Sequence, residues 1–183
     1  FGGTPLSLKM TFVEKNSNSG WSVIMGPASQ DELKRIPQIE NYFYSDPEFT
    51  WKATVAPTAL TFTQSEFFNS YNDYLFVADC MGGNINKFKL NSERTGFSFQ
   101  DPRLHDKILN LDDSVREIIF ATGFNCLTDL KFGPDGFLYT VSHFDGKIHR
   151  ILPKEFSNST QINERDFTNA NLQFANFTNA NLQ

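Results

Sequence analysis

A strand–turn–strand unit occurs twice in this chain, and its recurrence narrows the folds open to it. Tyr74-Leu75-Phe76-Val77-Ala78-Asp79 leads through Cys80-Met81-Gly82-Gly83 into Asn84-Ile85-Asn86-Lys87-Phe88. Phe137-Leu138-Tyr139-Thr140-Val141-Ser142 leads through His143-Phe144-Asp145-Gly146 into Lys147-Ile148-His149-Arg150-Ile151. Leu75 matches Leu138, Gly83 matches Gly146, Ile85 matches Ile148 and Lys87 matches Arg150, each pair 63 positions apart. Asp145-Gly146 is a strong hairpin signal, because such a turn needs a positive φ that glycine adopts without a Cβ clash.

A further strand precedes each hairpin. Thr58-Ala59-Leu60-Thr61-Phe62 matches Thr128-Asp129-Leu130-Lys131-Phe132 at an offset of 70, so the first unit holds seven extra residues, placed between Thr63 and Asp73. Gly133-Pro134-Asp135-Gly136 is the tight turn at that point of the second unit. Repeats of several short strands read as propeller blades, which bury their faces only against neighbouring blades. Two blades alone are then poorly stable, which leads us to expect a longer protein around this chain.

These patterns predict strands near 6–13, 58–63, 74–79, 84–90, 128–132, 137–142 and 147–151. Phe97-Ser98-Phe99 alternates like an outer blade strand, and a short helix is expected near Asp112 to Glu117. Asp31 to Arg35 suits one helical turn. The fold class is therefore all-β: a partial propeller of about two blades plus part of a preceding one. Its span is residues 1–155.

Residues 156–183 differ in character. Phe or Leu recurs every five residues at Phe167, Leu172, Phe177 and Leu182, with Ala two places earlier in three cases. A five-residue period with one large and one small inward position suits a β-solenoid. The segment resembles the pentapeptide-repeat family and covers about one coil.

Composition excludes some classes. The chain carries 16 Lys+Arg against 21 Asp+Glu, a net charge of −5, and its basic residues are scattered. A nucleic-acid partner needs a clustered basic face to displace counterions, so none is expected. No stretch approaches the ~20 apolar residues of a membrane helix. Phe is used 20 times, which suits half-buried pleated surfaces. Cys80 and Cys126 have no C-x-x-C spacing and form no zinc pattern with His105, His143 and His149. They read as buried or free thiols, with a bridge as the alternative. Both are expected at one end of the propeller, on consecutive blades, since Cys80 enters a hairpin turn and Cys126 enters the next blade. Asp129 and Asp135 are expected to serve turns and strand edges, His143 a solvated turn, and Trp21 the core.

Three ordered pieces carry a wider resemblance, over roughly Leu6 to Pro153. They are Glu14 to Trp21 with Asn18-Ser19-Gly20-Trp21, then Asn72-Asp73-Tyr74-Leu75-Phe76-Val77 through Phe88. The third is Thr122-Gly123-Phe124 through Thr128-Asp129-Leu130 and Gly133-Pro134-Asp135-Gly136-Phe137-Leu138-Tyr139. Together they resemble the glucose/sorbosone dehydrogenase family. That resemblance implies a six-bladed propeller oxidoreductase that uses pyrroloquinoline quinone with calcium to oxidise sugars or other polyols. It also implies an extracellular or periplasmic location. The family's His base lies on an early blade with no counterpart here. Its quinone-gripping lysine and arginines match Met81, Cys126 and Thr128, none of them cationic, and its calcium-binding Gly-Pro pair matches Gly3-Thr4 loosely. These five positions face the pocket by family position only, and the quinone and calcium are expected not to bind this chain. The alternative is a non-catalytic propeller that binds a carbohydrate or a protein.

Overall fold

Where apolar residues alternate beside a glycine-containing turn, this chain pairs its strands. A computed structural model describes residues 8–152 except 54 and 114. Within them run β1 (Leu8–Met10), β2 (Ser17–Asn18), α1 (Gln30–Leu33), β3 (Phe43–Tyr44), β4 (Phe49–Trp51), β5 (Pro57–Phe62) and β6 (Tyr74–Asp79). They continue with β7 (Asn84–Lys89), β8 (Ile108–Leu109), β9 (Ile119–Ala121), β10 (Leu127–Phe132), β11 (Leu138–Ser142) and β12 (Lys147–Ile151). The structure is nearly all β, in four open sheets with propeller-like blades. The pentapeptide repeats, Gly3 and Thr4, and the 155/156 boundary lie outside the described residues.

The described residues fall into two compact units, one within 1–55 and 90–117, the other within 56–89 and 118–183. In the first, β4 lies between antiparallel β1 and parallel β8. Phe49 and Trp51 are buried there, their rings 4.9 Å apart edge to face. A parallel pair, β2 and β3, accompanies this sheet. α1 is a single turn closed by a capping box, in which the Ser29 hydroxyl accepts from the Glu32 N–H and the Glu32 carboxylate accepts from the Ser29 N–H.

The second unit is the repeat. Its first blade has the order β5-β6-β7-β9 and its second β10-β11-β12. All these pairings are antiparallel, and the first hairpin pairs Ala78 with Ile85 as the second pairs Val141 with Ile148. Both inner strands carry the same irregularity, between Pro57 and Ala59 in β5 and between Leu127 and Asp129 in β10. The longer connection of the first unit makes room for a short 3-10 element, Glu66–Tyr71. It delivers Phe68 into a core shared by both blades, together with Phe76, Ala78, Ile85, Leu127, Leu130 and Leu138. Blade faces are thus buried against each other, as the repeat implies.

Three expectations need correction. The fourth strand of the first blade is Ile119–Ala121 rather than Phe97-Ser98-Phe99. The Asn91 side chain accepts from the N–H groups of Thr95 and Gly96 and closes a tight turn, and Phe97 pairs with Leu90 as an isolated bridge instead of joining the ladder. Phe99 packs 5.5 Å from Phe49 in the first unit. Around Asp112 to Glu117 the described residues form no helix. The Asp113 carboxylate accepts from the Asn110 N–H, and Glu117 accepts from the N–H groups of Gln100 and Asp101, so these acids hold loops. Trp21 is 75% exposed, whereas Ile24 is fully buried. Gly20, with φ +76°, turns the chain so that Ile24 takes the interior position.

Candidate functional site

Of the residues that the family pattern singles out, Met81, Cys126 and Thr128 lie at one end of the second unit, while Gly3 and Thr4 are outside the described residues. At that end the β6–β7 turn, the β11–β12 turn and the segment entering β10 come together. Cys80 and Cys126 form a disulfide, Sγ to Sγ 2.03 Å, and no described cysteine is free. The reading of two thiols is overturned, while their expected place at one end of consecutive blades holds. The two positions are 46 residues apart in sequence, and only the packing of the blades joins them.

The local chemistry that sets this contact starts with Asp79, the last residue of β6. Its buried carboxylate accepts from the N–H groups of Ala56 (2.9 Å) and Met81 (3.0 Å) through one oxygen and of Gly82 (2.9 Å) through the other. The turn is thereby bent back over the strand end. The matching position in the second blade is Ser142, also buried, whose hydroxyl accepts from the Asn125 N–H and donates to the Asn125 carbonyl. Each blade uses a different polar side chain for the same task, tying its entry segment to its hairpin.

Gly83 completes the seam between the blades. Its φ is +59°, and its carbonyl accepts from the Phe124 N–H at 3.1 Å. A Cβ at this position would stand 1.9 Å from the Phe124 carbonyl oxygen, so only glycine fits. Thr58 adds a second tie, its hydroxyl donating to the Leu127 carbonyl at 2.7 Å.

Met81 is 65% exposed at the tip of the β6–β7 turn. Thr128 is exposed at the β10 irregularity, where neighbouring residues shift register around it. Cys126 is 6% exposed and adopts φ +59°. The structure therefore brings Met81, Cys126 and Thr128 to the same end of the unit. No Lys or Arg occurs in 80–83, 122–126 or 143–146. The nearest basic residue in sequence, Lys147, faces Asp145 at 3.6 Å. Among the described residues no group of His, Cys, Asp and Glu has the arrangement of a metal site.

No known family model matches the chain, and no curated protein matches it. Among solved structures it is similar to a putative oxidoreductase (glucose dehydrogenase) of Thermus thermophilus. The identity is 21%, over 72% of this chain and 29% of that one, with a TM-score of 0.48. It is also similar to a glucose dehydrogenase at 14% identity, over 69% of this chain and 32% of that one, with a TM-score of 0.45. The chain spans less than a third of either protein.

Other expectations are met in detail. Asp135 accepts from the Phe137 N–H and the Tyr139 hydroxyl, and Asp129 accepts from the Leu130 N–H. His143 is exposed in its turn beside Phe144. The repeat alone would have revealed one feature that was missed. Met81 and Phe144 occupy equivalent turn positions, and both are largely exposed, Phe144 at 77%.

The first unit holds a separate cleft among Asn18, Ile36, Gln38, Tyr42, Phe43 and Tyr44. The Tyr44 hydroxyl donates to Asp46 at 2.8 Å, and burial, seconded by that carboxylate, pushes its ionisation well above the ordinary phenol range. Lys9 donates to the carbonyls of Ser19 and Ile24, and burial draws its amine below the usual lysine value. Among the described residues no helix is long and apolar enough to cross a membrane.

Proposed function

We propose that this chain is part of a glucose/sorbosone dehydrogenase-like propeller that binds a ligand or partner instead of gripping a redox quinone. The parent family oxidises sugars or other polyols. The observation that carries the reading is the Cys80–Cys126 disulfide, which occupies the turn and the entry segment where the family pattern calls for cations. An anionic quinone needs charge-assisted hydrogen bonds at its carboxylates. A thioether at Met81, a disulfide and a neutral hydroxyl at Thr128 do not fit that group. The sequence resemblance supports the propeller, and the lost cations count against the quinone and its calcium.

A carbohydrate ligand is favoured by the cleft of the first unit. Tyr42 and Phe43 are partly exposed rings that suit stacking on a sugar face, and the Gln38 and Asn18 amides suit its hydroxyls. An extracellular or periplasmic location is supported by the disulfide, since such bonds persist in oxidising compartments.

The quinone is the direct test. Titrating pyrroloquinoline quinone with calcium into the full chain, followed by quinone absorbance, is expected to give no saturable binding. Saturation at micromolar quinone would overturn the reading.

A further inference from the structure

We propose that the Cys80–Cys126 disulfide is a redox latch on the seam between consecutive blades. Oxidised, it holds the β6–β7 turn against the segment entering β10; reduced, it lets that seam part while each blade stays folded. This stands on the geometry of the seam and does not depend on whether the quinone binds.

Each side of the seam is held mainly to its own blade. The turn at 80–83 is tied to its own blade by Asp79, which accepts from Ala56, Met81 and Gly82, and by the Cys80 N–H donating to the Ala56 carbonyl. The entry segment is tied to its own blade by Ser142 on Asn125. Two backbone bonds add to this, His143 N–H to the Cys126 carbonyl at 2.8 Å and Phe144 N–H to the Asn125 carbonyl at 3.2 Å. None of these bonds crosses the seam. At this end the described polar crossings are the Phe124 N–H to Gly83 bond and the Thr58 hydroxyl to Leu127 bond. Away from this end, the blades share the core around Phe76, Leu130 and Leu138, and Phe67 stacks on Phe137 at 5.0 Å. Breaking the bridge therefore removes the covalent tie from one end of an interface that is otherwise packed.

Accessibility gives the reaction a direction. Cys80 is half-buried, whereas Cys126 is buried. One thiolate of an external dithiol attacks the Cys80 sulfur, breaking the bridge and releasing the Cys126 thiolate, which takes up a proton. The second thiolate of the dithiol then attacks the mixed disulfide. That step frees Cys80, which is protonated in turn, and oxidises the dithiol to a cyclic disulfide. Two electrons and two protons pass to the protein.

Amide hydrogen exchange on the full chain, with and without dithiothreitol, separates the outcomes. On reduction the Phe124 amide, which crosses the seam, is expected to exchange at least tenfold faster. The His143 and Phe144 amides and those of β6 and β11 are expected to keep their protection. A Cys126→Ser variant is expected to reproduce the reduced pattern without reductant. In Cys126→Ser, glutathione disulfide is expected to modify Cys80 readily, and in Cys80→Ser to modify Cys126 slowly. Unchanged Phe124 protection would show that the bridge holds nothing. Loss of protection at His143 and Phe144, or through β6 and β11, would show a general structural staple. Either result overturns the latch.

Discussion

At the end of β6 one carboxylate gathers three backbone N–H groups that the sheet leaves over. Removing it strands them, and a buried donor without an acceptor costs about 1–3 kcal/mol. Turn water recovers part of that loss, so Asp79→Ala is expected to destabilise the chain by about 2–4 kcal/mol. Asp79→Asn keeps one oxygen for Ala56 and Met81 but turns an amide against the Gly82 N–H, and is expected to lose about half as much. Urea unfolding of the two variants checks the order. A second residue gives a pH dependence. Burial, followed by the hydrogen bond to Asp135, raises the Tyr139 phenol above its ordinary value, with Arg150 opposing. The folded chain then holds the phenolic proton more tightly than the unfolded one. That stabilisation is complete below the unfolded phenol pKa of about 10 and is lost as pH rises through the higher folded value. Urea midpoints are expected to fall above pH ~10 in the native chain and to fall less in Tyr139→Phe. Tyr44 is shifted the same way, so the slope shrinks without vanishing.

Among the elements, β5 and β6 lie side by side yet carry very different loads. β6 is buried on both faces from Leu75 to Asp79, as expected for a central strand. Phe76 lies 4.7 Å from Phe120 and 5.7 Å from Tyr71. Truncating a ring so enclosed leaves a cavity that its neighbours fill only partly, and Phe76→Ala is expected to cost about 3–5 kcal/mol. Leu60, on the neighbouring strand, is 61% exposed, and Leu60→Ala is expected to change stability by less than about 0.5 kcal/mol. Chemical denaturation of both variants provides the comparison. Strands whose partners follow at once in the chain were legible from alternation, and all three strands of each hairpin unit were found near their predicted bounds. The outermost strand of the first blade was not. Ile119–Ala121 returns to β7 after an excursion through another unit, and nothing in three residues announces so distant a partner.

For the molecule as a whole, the repeated architecture can be read along the chain. Alternation places Phe76, Ala78, Leu130 and Leu138 on inward faces, while Gly83 and Gly146 supply the positive φ that their turns need. Those are local requirements, written in neighbouring residues, and two copies offset by 63 positions made them visible. Which distant groups meet was settled by packing alone. Cys80 and Cys126 looked like separate thiols because neither has a partner at any standard spacing, and their bond exists only because two blades pack face to face. Trp21 and Trp51 are equally apolar in sequence, yet a left-handed glycine exposes one while a central strand buries the other. Alternation and turn chemistry act over a few residues and can be read along the chain. Bridges, outer strands and burial depend on contacts between residues far apart, and those form only once the sheets have packed.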